Sequence, residues 1–277
     1  MKNLKTLFGC VSLFALVGCG AGTKEDNFIL GLGGENVPVG QYASKILQYF
    51  EIDESALAKK GAISYGEDVK AVTTQVKQGL VSAGIIYATD AKSANLKVVD
   101  TATKEMCGQV IYPAAVILNA AGKADAAKSF LSYLTNNEAM GIFESVGFSK
   151  VGEPQTELDQ TNETITLNIY AAASMTETLN EIKTKYETAH SNVTLQMNYG
   201  SSGKLQTQIE QGPDLCDLFI SAGAKQMNAL QDQNLIVNES RINLLENKVA
   251  LSVPDNNPAN INSFTDLKAK LVSILSK

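Results

Sequence analysis

From residue 28 onward the chain alternates short apolar runs with amphipathic segments, breaks the alternation once, and then resumes it. Phe28-Ile-Leu-Gly-Leu32 reads as a buried strand, and residues 39–50 as a helix with Tyr42, Ile46, Leu47 and Phe50 on one face. Residues 68–80 form a second helix, with Val69, Val72, Val76 and Leu80 at helical spacing. Strands follow at 84–87 and 110–118, and one or two helices at 124–143. Residues 150–163 hold Gly, Pro, Gln, Thr, Asn and four acids, with only Val151 and Leu158 apolar, and read as a linker. Beyond it, strands at 165–170, 193–199, 215–221 and 249–253 interleave with helices at 175–188, 204–211, 225–233 and 263–276. Ser263 is the expected N-cap of the last. Strands separated by helices define βαβ units, so the class is α/β with mostly parallel sheets flanked by helices. The 277 residues suffice for two lobes of about 120 residues each, both large enough for a core.

Charge removes several kinds of chemistry. The chain has 22 lysines, one arginine (Arg241) and one histidine (His190), with a formal charge of −6. That acidic balance argues against a nucleic-acid partner. One histidine excludes chemistry built on several. No metal-ligand spacing is visible, and no histidine lies near Ser174 to activate it, so neither an enzyme nor a cation site nor a cofactor is expected. Gly200-Ser-Ser-Gly-Lys204 runs into Leu205 and lacks the P-loop spacing, and Gly31-Leu-Gly-Gly-Glu-Asn36 lacks the third glycine of a dinucleotide fingerprint. A single arginine leaves little scope for guanidinium clamps. A bound anion would need donors other than side-chain charge.

The first 18 residues read as an export signal. Lys2 and Lys5 precede the mostly apolar 7–17, which is too short to span a bilayer, and Leu16-Val17-Gly18-Cys19 resembles a bacterial lipobox. On this reading Cys19 is lipidated and residues 19–27 form a tether; an ordinary secretory signal with an incidental Cys19 is the alternative. Cleavage before Cys19 leaves 21 basic and 29 acidic residues, a net −8, in a protein anchored outside the membrane by lipid only. Cys107 and Cys216 remain, either as a disulfide that an exported compartment permits or as two small buried residues.

Four strand-to-helix junctions share one chemistry. Ala171-Ala-Ala-Ser174, Gly200-Ser-Ser-Gly203, the run from Gly33 to Gly40 and Gly66-Glu-Asp68-Val69 all place small residues, hydroxyls or glycines where a helix begins. Helix starts leave free N–H groups at the positive end of the dipole, and in open α/β sheets they gather where ligands bind. The simpler alternative makes Ser174, Ser202 and Asp68 ordinary N-caps. The acids Glu35, Glu67 and Asp68 are read as helix-start residues facing solvent.

Ala171-Ala-Ala-Ser-Met175, Gly200-Ser-Ser-Gly-Lys-Leu205 and Asp217-Leu-Phe-Ile-Ser-Ala222 resemble the N-terminal half of the periplasmic molybdate-binding proteins of ABC transporters. Gly34-Glu-Asn-Val-Pro-Val-Gly-Gln-Tyr-Ala43, Gly66-Glu-Asp-Val-Lys70, Gly84-Ile-Ile-Tyr-Ala-Thr-Asp90 and Tyr112-Pro-Ala-Ala-Val116 resemble their C-terminal half. The halves stand in swapped order, so the resemblance implies a circular permutation in which residues 150–163 join the family's old ends.

The resemblance implies a two-lobed type II periplasmic-binding fold. One lobe would comprise residues 28–108 plus 254–277 and the other 109–253, with 110–118 and 249–253 as hinge crossings. It implies an oxyanion site in which Ser174 and Ser202 donate hydroxyl and backbone N–H groups, Val39 and Val69 backbone N–H groups, and Tyr87 its phenol. Gly203 stands where the family has a third serine. The ligand would be molybdate or tungstate, the partner an ABC permease, and the protein a monomer. Binding of sulfate or another small anion, or a role as a surface sensor, are the alternatives.

Overall fold

The computed structural model describes residues 28–119, 122–155 and 163–277. The export signal, Cys19, the tether and half of the linker lie outside the described residues. In chain order the first part forms β1 (Leu30–Gly33), α1 (Pro38–Tyr49), α2 (Glu54–Lys59), β2 (Ile63–Gly66) and α3 (Val69–Lys77). It continues with β3 (Ala83–Tyr87), α4 (Ala88–Ser93), β4 (Lys97–Thr101) and α5 (Lys104–Cys107). Next come β5 (Val110–Val116), α6 (Ala124–Tyr133), α7 (Asn137–Val146) and β6 (Ser149–Lys150). After the linker the chain makes β7 (Ile165–Ala172), α8 (Thr176–Ala189), β8 (Val193–Gly200), α9 (Ser202–Gln211), β9 (Leu218–Ile220) and α10 (Ala224–Asp232). It ends with β10 (Ile242–Asn247), β11 (Val249–Val253) and α11 (Phe264–Leu275).

These strands make two sheets with helices packed on them. One has the order β2-β1-β3-β11-β4 and the other β6-β10-β5-β9-β7-β8. The helices form where the apolar stripe requires: Val69, Val72 and Val76 of α3 are all buried, and Asp68 caps the helix by accepting from Ala71 N at 2.9 Å. Burying each such valine contributes about 1.5–3 kcal/mol. Ser263 caps α11 as expected, accepting from Asp266 N at 3.1 Å.

The sheets are mixed, which corrects the mostly parallel expectation. Pairings β1–β2, β1–β3, β7–β8 and β7–β9 are parallel. Those of β5, β10 and β11 with their neighbours are antiparallel. β10 and β11, joined through Lys248 alone, enter different sheets, and each runs opposite to the strands it pairs with there. Residues 249–253, expected as a hinge crossing in the second lobe, are instead a full strand between β3 and β4 of the first sheet. The passage between sheets therefore falls at Asn247-Lys248-Val249. β5 lies in the second sheet between β10 and β9. The beginning and end of the described chain are neighbours, with Lys270 Nζ of α11 over the Phe28 ring at 5.9 Å from its centroid.

Cys107 and Cys216 are both buried free thiols, which resolves the pair in favour of two separate packed residues. Burial pushes the Cys216 thiol well above its ordinary range. Among the described residues no helix is long and apolar enough to cross a membrane.

Candidate functional site

The carboxyl ends of β1, β2, β3, β7 and β8 converge on one small cavity between the two sheets. Val39, Val69, Tyr87, Ser174 and Ser202 all line it. The space enclosed is about 10 Å3, room for little more than one water molecule. Sites for drug-sized ligands are far larger, at roughly 300–1,000 Å3. A larger groove of about 640 Å3 runs along Glu35, Ser44, Glu54, Tyr65 and Lys225. Its hydroxyls are already engaged, since Ser44 Oγ and Tyr65 Oη both donate to Glu54 at 2.6 and 2.8 Å. The helix-start N–H groups of Val39 and Val69 converge instead on the smaller cavity.

Each residue reaches the cavity for a local reason. Pro38 opens α1 at a position where its missing N–H costs nothing, and Val39 follows with an N–H that has no intrahelical acceptor. Gly40 lets α1 start hard against β1, because a Cβ there would fall 2.2 Å from the Gly33 carbonyl oxygen. Val69 is the first residue of α3 and likewise has an N–H outside the helical ladder. Tyr87 ends β3 and is buried, its hydroxyl donating to Ala222 O at 3.3 Å. Ser174 sits in a single 3-10 turn, Ala173–Met175, that leads into α8. Ser202 is the first residue of α9.

The N-cap alternative holds for Asp68 and fails for both serines. Ser201 caps α9, accepting from Lys204 N at 3.4 Å, while Ser202 Oγ accepts from Ala222 N at 3.0 Å. Ser174 Oγ is instead 2.9 Å from Tyr112 Oη. Of the three acids expected to face solvent, only Asp68 departs from that expectation. Glu35 is exposed. Glu67 is exposed but accepts from Lys204 Nζ at 2.6 Å, a bond that holds its carboxyl below the usual range. Asp68 is half-buried and lines the cavity, with Oδ1 committed to capping α3.

The electrostatics favour donation. Among the described residues lining the cavity there is no lysine or arginine. Burial pushes the phenols of Tyr87 and Tyr112 well above their ordinary range, so both stay protonated. Lys70, one residue into α3 from Val69, lies 3.2 Å from Asp90 Oδ1 and donates to Glu177 Oε2 at 2.6 Å. Burial alone would lower Lys70, but the two carboxylates outweigh it and hold the ammonium above its usual value. Asp90 is fully buried; among the described residues its carboxylate has no hydrogen-bond partner, Lys70 standing beside it as an ion-pair partner. Burial raises Asp90 from 3.8 to about 6 despite that cation.

Tyr112, Asn247 and Ala222 join the site without having been read as part of it. A phenol in the apolar strand at residues 110–118 was a usable signal for Tyr112. Asn247 and the Ala222 backbone carry none, since each matters only through a partner distant in sequence.

A family model for bacterial extracellular solute-binding proteins matches residues 24–149 and 167–276, most of the chain. The chain belongs to that family. This solute-binding protein is 43% identical over 103 residues to YvgL of Bacillus subtilis (strain 168), named as an ABC transporter substrate-binding lipoprotein, covering 37% of this chain and 39% of that one. It is 31% identical over 115 residues to the molybdate-binding protein ModA of Haemophilus influenzae, covering 41% of this chain and 43% of that one. The solute-binding chain thus spans about two-fifths of the length of the curated relatives it matches. Among solved structures, a phosphate-binding protein of a Streptococcus pneumoniae phosphate ABC transporter superposes with a TM-score of 0.53 at 12% identity, covering 89% of this chain and 96% of that one. That likeness bears on the fold alone, which is the two-lobed α/β architecture of periplasmic-binding proteins.

Proposed function

We propose that this protein captures molybdate or tungstate outside the cell for an ABC importer, holding the anion in the small cavity through neutral donors. The observation that carries the reading is the convergence of Ser174, Ser202, Tyr87 and the N–H groups of Val39 and Val69 on one small cavity between the sheets. About six or seven hydrogen bonds to a charged ligand, at ~1.5–3 kcal/mol each, give ~9–20 kcal/mol gross. After the association cost this suffices for micromolar or tighter binding.

With Asp68 turned to capping α3, the donors that face the anion also select by protonation. Molybdate, tungstate and sulfate carry no proton at neutral pH, whereas phosphate carries one that needs an acceptor. The ModA relative supports the assignment to molybdate. The lipobox-like run ending at Cys19 supports a lipid anchor, and a permease is the partner. The adjacency of Phe28 and Lys270 supports a permuted order, because the family's break would then lie between neighbouring elements. A competition titration with molybdate, tungstate, sulfate and phosphate tests the assignment: displacement by molybdate or tungstate and none by phosphate is the expected result. Tight phosphate binding would overturn the donor-only site.

A further inference from the structure

We infer that Tyr112 and Asn247 are positioning residues that force the Ser174 hydroxyl proton into the cavity, and so restrict the site to anions whose oxygens carry no proton. The inference rests on the site reading above and deepens it.

Asn247 fixes the direction of the hydrogen-bond chain at its far end. Lys248 N–H donates to Asn247 Oδ1 at 2.8 Å, which leaves the other amide atom, Nδ2, as a donor. Its two hydrogens go to Thr89 Oγ1 at 2.9 Å and to Tyr112 Oη at 3.1 Å. Having accepted from Asn247, Tyr112 gives its own proton to Ser174 Oγ at 2.9 Å. Ser174 Oγ then has one proton left, and the cavity is where it points. If the last bond ran the other way, Tyr112 Oη would accept from both Asn247 and Ser174, and its proton would have only the Tyr87 hydroxyl, itself bonded to Ala222 O, to turn to.

Burial removes solvent as a substitute partner. Thr89, Asn247, Tyr112 and Ser174 are 1%, 3%, 0% and 6% exposed. A buried chain of this kind polarises along its length and resists reversal. Ser202 is oriented in the same sense, since its oxygen accepts from Ala222 N–H and its proton is released. Asn247 lies where the chain passes from β10 to β11, and Thr89 on α4, so the chain also ties the Ser174 side of the cavity to the opposite sheet layer.

The test uses the full chain and its Tyr112→Phe and Asn247→Asp variants, titrated calorimetrically with molybdate and with arsenate at neutral pH. Arsenate is tetrahedral but carries a proton. Tyr112→Phe keeps the ring and frees Ser174 to rotate, so molybdate affinity should fall about tenfold while arsenate affinity holds or rises. Asn247→Asp places an acceptor behind Tyr112 and reverses the chain, so the same change in the molybdate-to-arsenate ratio should appear. If either variant fails to fold, the other decides. An unchanged ratio, whether both affinities fall together or neither moves, overturns the inference. Failure of the unaltered protein to bind molybdate, tungstate or sulfate would instead overturn the site reading on which it rests.

Discussion

Gly203 of α9 approaches the backbone carbonyl of Asn36, which precedes α1, so closely that a Cβ on Gly203 would fall 2.2 Å from the oxygen. The two residues belong to opposite layers and meet beside the cavity. The resemblance to molybdate-binding proteins would put a serine here, and in this chain the close approach excludes one. Gly203→Ala should therefore hold the layers apart, at a cost of about 1–3 kcal/mol typical of overpacking, and weaken anion binding accordingly. Small-angle scattering with saturating molybdate checks it: the unaltered protein compacts and the variant stays extended. Equal compaction in both would show that the contact does not limit closure.

Ser174→Ala removes one charge-directed donor and leaves Tyr112 Oη without its acceptor. Molybdate binding should weaken by ~1.5–3 kcal/mol, roughly 10- to 150-fold. Calorimetry reads this directly. Ser202→Ala should cost in the same range, and it also orphans Ala222 N–H, so its melting temperature should fall as well.

Two ion pairs join segments that flank the cavity lining, Lys70 with Glu177 and Lys204 with Glu67. Both are solvent-facing enough that salt screens them. Glu177→Gln should lower affinity by less than about 1 kcal/mol, with the loss visible at low ionic strength and vanishing at high. Titrations at the two ionic strengths distinguish this from a salt-independent packing effect.

Asp90 makes stability depend on pH with a definite sign. Its folded value is raised from 3.8 to about 6 by burial, with Lys70 opposing and Glu177 and Asp68 adding to the rise. The folded state therefore holds the proton more tightly than the unfolded chain. The contribution is fully present below about pH 4 and is lost as pH rises through about 6. Melting curves of the unaltered protein and Asp90→Asn across that window should converge or cross toward acid, with the unaltered protein gaining. A pH-independent difference, or a gain toward alkali, would contradict it.

Much of this architecture is legible residue by residue. Apolar spacing at Val69, Val72 and Val76 identifies α3, and the small-residue junctions before α8 and α9 point to Ser174 and Ser202. What escaped has physical causes. β4, Lys97–Thr101, is an edge strand without buried residues, so it shows no apolar face to read. β10 carries a register shift between Asn243 and Leu245, which breaks its alternation. Strand direction depends on where the chain changes sheets, and one residue, Lys248, separates β10 from β11. The relay through Tyr112 and Asn247 joins residues 62 and 135 positions apart in sequence, a separation at which local pattern carries no information.

The most direct measurement is a crystal structure with molybdate bound, located by diffraction at the molybdenum absorption edge. The account predicts one molybdenum centre in the cavity between the sheets, with its oxygens bonded to the hydroxyls of Ser174, Ser202 and Tyr87 and to the N–H groups of Val39 and Val69. A molybdenum peak elsewhere, or an anion in the cavity held by Asp68 or by a lysine, would contradict it.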